Sequence, residues 1–185
     1  QQRLAEAELR ASEERFRRVV QDMPVMINAL DENYNIIFWN AECERVTGYA
    51  AEEIVGKPDA WEIMYPDTEY RQSMFAAMHV NQGDYHDWVW EVTAKDGTAR
   101  AISWSNISRR APVPDWSSWS MGIDITDQLA MENALRGSEE RYRLLVEASP
   151  LPILVHRHGT IVFVNAAAIR ALGGTSDETF VGNSI

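Results

Sequence analysis

Part of this chain occurs twice, and that constrains its fold more than any other feature. Ser12-Glu13-Glu14-Arg15-Phe16-Arg17 returns as Ser138-Glu139-Glu140-Arg141-Tyr142-Arg143, an offset of 126, and Pro24 returns as Pro150. Phe38-Trp39-Asn40 answers to Phe163-Val164-Asn165, and Gly48 to Gly173, at 125; Val55-Gly56 answers to Val181-Gly182, at 126 again. Order and spacing survive with one compensated gap, as two copies of one domain would leave them. The copies are unequal. The first runs to about residue 126, whereas residues 149–185 of the second number fewer than the roughly 40 that an independent core needs. A truncated second domain is the expectation, in a piece of a longer protein.

Within the first copy, Leu4, Leu9, Phe16, Val19 and Val20 recur at helical spacing over residues 1–22. Pro24 ends that helix. Val25 to Leu30 and Ile36 to Trp39 read as two strands around the turn-forming Asp31-Glu32-Asn33-Tyr34-Asn35. Asn40 is placed to cap a short helix through Val46, with Gly48 as its stop. A helical turn over Ala51 to Val55 closes at Gly56, and Asp67 or Thr68 opens a longer helix to about Gln82, closed by Gly83. Three strands follow. Trp88, Trp90 and Val92 share a face of the first, and Ile102, Trp104 and Asn106 share a face of the second, across the Lys95-Asp96-Gly97 turn. The third runs from Trp119 to Ile125, and Thr126 caps a helix reaching about Ala148. The order predicts an α+β fold: a five-stranded antiparallel sheet with helices on one face, flanked by a long N-terminal helix and a long linker helix.

Charge narrows the partners. Seventeen basic against 28 acidic side chains leave a formal charge of −11, which argues against nucleic acid, whose binding depends on clustered Lys and Arg. The same balance argues against an anionic membrane surface. No apolar run approaches the roughly 20 residues of a membrane helix. The single cysteine, Cys43, excludes an intramolecular disulfide and suits a reducing compartment. A cytoplasmic location is the expectation.

Six short segments, each weak alone, occur in an order that resembles the PAS family of sensory domains. They are Asn40 after the hairpin, Thr47-Gly48-Tyr49, Glu53-Ile54-Val55-Gly56-Lys57, Tyr65-Pro66-Asp67, Lys95-Asp96-Gly97 and Gly122-Ile123-Asp124-Ile125-Thr126. The resemblance covers residues 12–185, the second copy matching only the family's first half. It implies a signalling helix over 1–22, a PAS domain over 23–126, a linker helix over 127–148 and the beginning of a second PAS domain over 149–185. It also implies a signal-transduction protein of the sensor histidine kinase or diguanylate cyclase type, with an output domain downstream.

Such a fold encloses a small core that can hold a ligand. Strand alternation turns Trp88, Trp90, Val92, Ile102, Trp104, Asn106 and Gly122 towards it; the resemblance adds Asn28, Trp39, Cys43 and Thr47. The candidate pocket residues are therefore Asn28, Trp39, Cys43, Thr47, Trp90, Trp104 and Asn106. Indoles can stack on a planar ligand or fill the space one would need, so a small-molecule pocket and a packed core both stand. Asn28 and Asn106, polar in apolar strands, each require a hydrogen-bond partner from backbone or ligand.

No cofactor is required by the sequence. Flavin-binding photoactive relatives carry a reactive cysteine after the small-helix region, where Gly56-Lys57-Pro58-Asp59-Ala60-Trp61 has none; Cys43 reads as a small buried residue. Haem-binding relatives place their axial ligand near Met74, and His79 falls one turn later. His86, His156 and His158 have no partners at metal-ligand spacing, and no metal site is expected. The adjacent pairs Glu13-Glu14 and Glu52-Glu53 diverge on a helix, no nucleophile–base arrangement appears, and no catalytic residue is assigned.

Asp124, Ile125 and Thr126 are the candidate signal relay, because no Gly/Ser linker separates the last strand from the helix after it. Met121 and Ile123 point off the concave face, and Leu129, Leu135 and Tyr142 recur along the helix; these five are the candidate dimer or helix interface. A helix packing on its own domain and a parallel helix pair in a homodimer both fit so short a repeat. The functional expectation is a sensory and dimerisation module. A ligand-free interaction module is the alternative, and a haem or flavin redox sensor a further one.

Overall fold

The computed structural model describes residues 2–81 and 84–185, without the side chains of residues 2–9. It forms two compact units, one through Asp127 and one from Gln128.

In the first unit α1 (Gln2–Asp22) precedes the hairpin of β1 (Met26–Leu30) and β2 (Ile36–Trp39). Val20 is buried near the end of α1, whereas Phe16 and Val19 are exposed; Leu4 and Leu9, which shared the sequence periodicity, lie outside the described side chains. Asn40 caps α2 (Ala41–Thr47) by accepting the Cys43 N–H, and Gly48 closes it at a φ of 76°. A side chain there would be strained, and its Cβ would sit 3.3 Å from Lys95 Cβ.

Helices α3 (Ala51–Ile54), α4 (Ala60–Met64) and α5 (Thr68–Val80) follow. α4 has no counterpart among the predicted elements, being a single turn too short for periodicity. Asp67 caps α5 through the Tyr70 N–H. The helix ends earlier than expected, at Asn81, whose backbone and side-chain N–H groups both return to the Ala77 carbonyl. The proposed stop, Gln82-Gly83, lies outside the described residues.

Strands β3 (Asp84–Thr93), β4 (Ala99–Ile107) and β5 (Ser118–Asp124) complete an antiparallel sheet in the order β2-β1-β5-β4-β3. Helices α2 to α5 pack on one face of it. The core joins Cys43, Ile54, Met64 and Met74 from the helices to Met26, Trp39, Ile102 and Trp104 from the sheet. Burial of each large apolar side chain among them contributes about 1.5–3 kcal/mol. The fold is the expected α+β architecture.

One irregularity shifts the alternation. The β3–β4 register slips between Tyr85 and Trp88, with Asp87 at a φ of 55°. Core-facing positions are odd-numbered before this bulge and even-numbered after it.

Helix α6 runs from Thr126 to Ala148 and buries none of its residues. The second unit continues with a hairpin of β6 (Leu154–Arg157) and β7 (Thr160–Val164), then α7 (Ala166–Ala171) and a 3₁₀ turn over Asp177–Thr179. Its small core is Ile161, Val164 and Ala168, with Ile169 and Phe180 against it. Among the described residues, no helix is long and apolar enough to cross a membrane.

Candidate functional site

The concave face of the sheet is ordered in rows. One row crosses all five strands as Trp39, Asn28, Ser120, Asn106 and Tyr85. The next reads Met26, Gly122, Trp104 and Trp88. A third pairs Asp124 with Ile102 and Ile102 with Trp90. The first row is polar, the second aromatic, and the third ends at the strand leading into α6.

In the polar row Asn106 is fully buried and saturated. Its amide nitrogen donates to Ser118 Oγ at 2.7 Å and Ser120 Oγ at 3.2 Å, and its carbonyl accepts from Ser108 N and Oγ at 3.0 and 2.6 Å. Tyr85 Oη lies 3.2 Å from the same Ser120 Oγ; burial raises the phenol's pKa, and the bonds from Ser120 and Asn106 oppose that rise. Asn28 is different. It is buried, and its side-chain amide has no hydrogen-bond partner among the described residues.

The aromatic row is close-packed. A Cβ on Gly122 would meet the Trp104 ring at 2.7 Å, so the indole lies directly on glycine backbone. Trp104 is 3% exposed, yet its indole N–H is buried without a partner among the described residues. Burial raises the pKa of the nearby core phenol of Tyr65 strongly. Trp90 is only half-buried, at the end of a cluster in which Tyr85 stacks on Trp88 at 4.5 Å.

The other expected pocket residues are committed to the backbone. Trp39 donates to the Tyr49 carbonyl at 3.2 Å, Thr47 Oγ1 to the Cys43 carbonyl at 2.7 Å and Cys43 Sγ to the Ile27 carbonyl at 3.4 Å. Burial pushes the Cys43 thiol far up, so this sulfur is inert in the folded unit. Met74, near which the resemblance implies a haem ligand would fall, is buried in the core. His79 lies in a polar cleft of about 360 Å³ with Ser108 and Arg109, its Nδ1 3.3 Å from Tyr34 Oη.

Two residues of the face were missed in the sequence, as was the buried Tyr65 at the end of α4. Ser120 was legible as the alternation partner of Gly122. Tyr85 was hidden by the bulge, because unbroken alternation from Trp88 selects His86 instead. Tyr65 lay within a motif but not in a strand.

The residues expected to form the relay converge on β4. The Ile125 N–H donates to the Ala101 carbonyl at 2.9 Å, and the Ala101 N–H donates to Thr126 Oγ1 at 2.9 Å. Thr126 in turn donates from its backbone N–H and its hydroxyl to Asp124 Oδ1, at 2.9 and 2.5 Å. This corrects the expectation that Thr126 caps α6: its hydroxyl turns back to β4 and Asp124. Arg100 approaches the other carboxylate oxygen at 3.8 Å. Of the residues expected at an interface, Met121 and Leu129 are half-buried, while Ile123, Leu135 and Tyr142 are 59%, 62% and 72% exposed.

A PAS fold model matches residues 14–123, and a second PAS domain model matches residues 140–184. No curated protein sequence matches the chain. Among solved structures, an RNA-binding light-oxygen-voltage receptor is similar over 69% of this chain, at 21% identity and a TM-score of 0.52; the match spans 37% of that receptor. A PAS domain from Colwellia psychrerythraea is similar over 62% of this chain and 97% of its own length, at 24% identity and a TM-score of 0.48. A PAS domain of an HTR-like protein from Haloarcula marismortui is similar over 66% and 99%, at 19% identity and a TM-score of 0.47.

Proposed function

The chain belongs to the PAS family, and from that premise we propose that residues 23–126 are a sensory module that passes a core event through β5 into α6. The observation that carries this reading is the position of the Asp124–Thr126 knot. It lies one row, two residues along β5, from the Trp104–Gly122 contact, about 7 Å of strand. A ligand that tilts the Trp104 indole presses on Gly122 backbone, and β5 has no side chain there to absorb the movement. Asp124 and Thr126 then carry the shift into the first turn of α6.

The buried Trp104 N–H, unpartnered among the described residues, favours a ligand with a hydrogen-bond acceptor, since buried polar groups are ordinarily paired. The module itself performs no reaction in this reading; chemistry belongs to an output domain of kinase or cyclase type. Ile123, Leu135 and Tyr142 would be covered in a homodimer. A second reading, a relay without ligand, is favoured by the saturated Asn106 and by the close packing of Trp104 on Gly122.

Native mass spectrometry of the purified chain, under gentle and then harsh activation, separates the two. The first expects a dimer carrying a releasable small mass, and W104F, which removes the indole N–H, lowers its retention about tenfold. A clean polypeptide mass leaves the ligand-free relay. Inserting one to four residues after Thr126 in the full-length protein tests the relay itself: output that does not change with helical phase overturns it.

A further inference from the structure

The asparagine that caps α7 holds much more than that helix. Asn165 is fully buried, and its Oδ1 accepts the Ile153 and Ala168 N–H groups, each at 2.9 Å. Its Nδ2 donates to the carbonyls of Val146 at 3.0 Å, Leu151 at 2.9 Å and Ser149 at 3.4 Å. Val146 lies in the last turn of α6, whose carbonyls have no partner inside the helix. One side chain therefore ties the end of α6 to the start of the hairpin and to the cap of α7. Asn40 makes the same set in the first unit: it accepts from Ile27 and Cys43, and donates to Val20 and Val25. Val20 and Val146, Ile27 and Ile153, and Cys43 and Ala168 keep the repeat offsets of 126 or 125, so the arrangement is a duplicated device.

Helix α6 is held in a second way, at its start. Its first residue is knotted to β4 through Thr126 and Asp124, and its helical bonding is unbroken to Ala148. With none of its own residues buried, α6 depends on such polar ties at its ends. We propose that Asn165 is the receiving clamp of the second unit, the positioning residue through which a displacement of α6 reaches β6, β7 and α7. The inference rests on the relay reading above and extends it. A hydrogen bond near 3 Å is lost within about 1 Å of movement, which makes this side chain a sensitive receiver.

Two substitutions cut the donor side of the clamp and spare the cap. N165D keeps both acceptor positions and loses both donor hydrogens; N165S keeps a capping oxygen but is too short for the Val146 carbonyl. The experiment is residue-resolved amide exchange on the whole chain, with T126A as the perturbation. In the native background T126A is expected to speed exchange about fivefold in the first turns of α6 and at Ile161 and Val164, the low end of ordinary site coupling. In N165D, T126A should still speed α6 while leaving Ile161 and Val164 at that variant's own rate. A merely structural Asn165 gives the same fold-change from T126A in both backgrounds, and that result overturns the clamp. An effect in α6 that never reaches Ile161 or Val164 in the native background also overturns it, leaving the relay intact. No effect even in α6 overturns relay and clamp together. Should N165D unfold the hairpin, N165S gives the same comparison.

Discussion

β1 and β6 occupy equivalent places in the two copies, and the same asparagine device holds each of them. Their burial is opposite: every residue of β1 is buried and every residue of β6 is exposed. The hairpin, the cap and the helix tie are built from residues close in sequence, and both copies have them. Burial of β1 comes from its pairing with β5 and from the helices on the sheet, elements that the second copy does not contain within these residues. Local hydrogen-bonding patterns are thus sufficient to shape the half-domain, whereas its core is a long-range product.

Removing the asparagines tests that division most directly. N40A leaves the buried Ile27 and Cys43 N–H groups unpaired and should destabilise the first unit by about 3 kcal/mol; N165A, which leaves only the Ala168 N–H buried and unpaired while Ile153 is half-buried, should cost about 1–2 kcal/mol. Exchange-derived opening energies for each unit measure both. Equal losses would break the contrast.

Glycine packing gives a smaller effect of the same kind. G122A drives a methyl into the Trp104 ring, locked in the core, and should cost about 2 kcal/mol. In the second unit a Cβ on Gly174 would meet the Phe180 ring at 2.2 Å. That ring is only half-buried and can swing aside, so G174A should cost under about 1 kcal/mol. Denaturant unfolding reads the first and amide exchange the second.

The mildest probe is proteolysis. Brief trypsin treatment should cut after Arg157, in the exposed β6, about tenfold faster than after Arg100 in β4, since cleavage follows local opening. Mass analysis of the fragments decides it, and earlier cutting at Arg100 would reverse the ranking.

The hairpin, the Asn40 cap, the Gly48 stop and the alternating faces of β4 were all readable, because each depends on residues within a few positions of one another. α4 was not, since one helical turn has no period. Tyr85 was missed because a single inserted residue inverts the parity that strand reading relies on. The candidate site was half legible: Trp104, Asn28 and Asn106 stand on the face where alternation and resemblance put them. What alternation could not tell is which polar groups are spent. Asn106 is consumed by three serines, two of them on another strand, and the Trp104 N–H is left over. Those are facts of tertiary geometry.

The bulge in β3 has a bearing on solubility. β3 stands at one end of the strand order, is ten residues long and carries two tryptophans, the profile of a strand that recruits another chain edge to edge. His86 and Asp87 interrupt it with an irregular step and a positive φ. An incoming strand in regular register meets a gap and a carboxylate there instead of a continuous ladder, and such breaks are how native sheets keep their edges from templating aggregation.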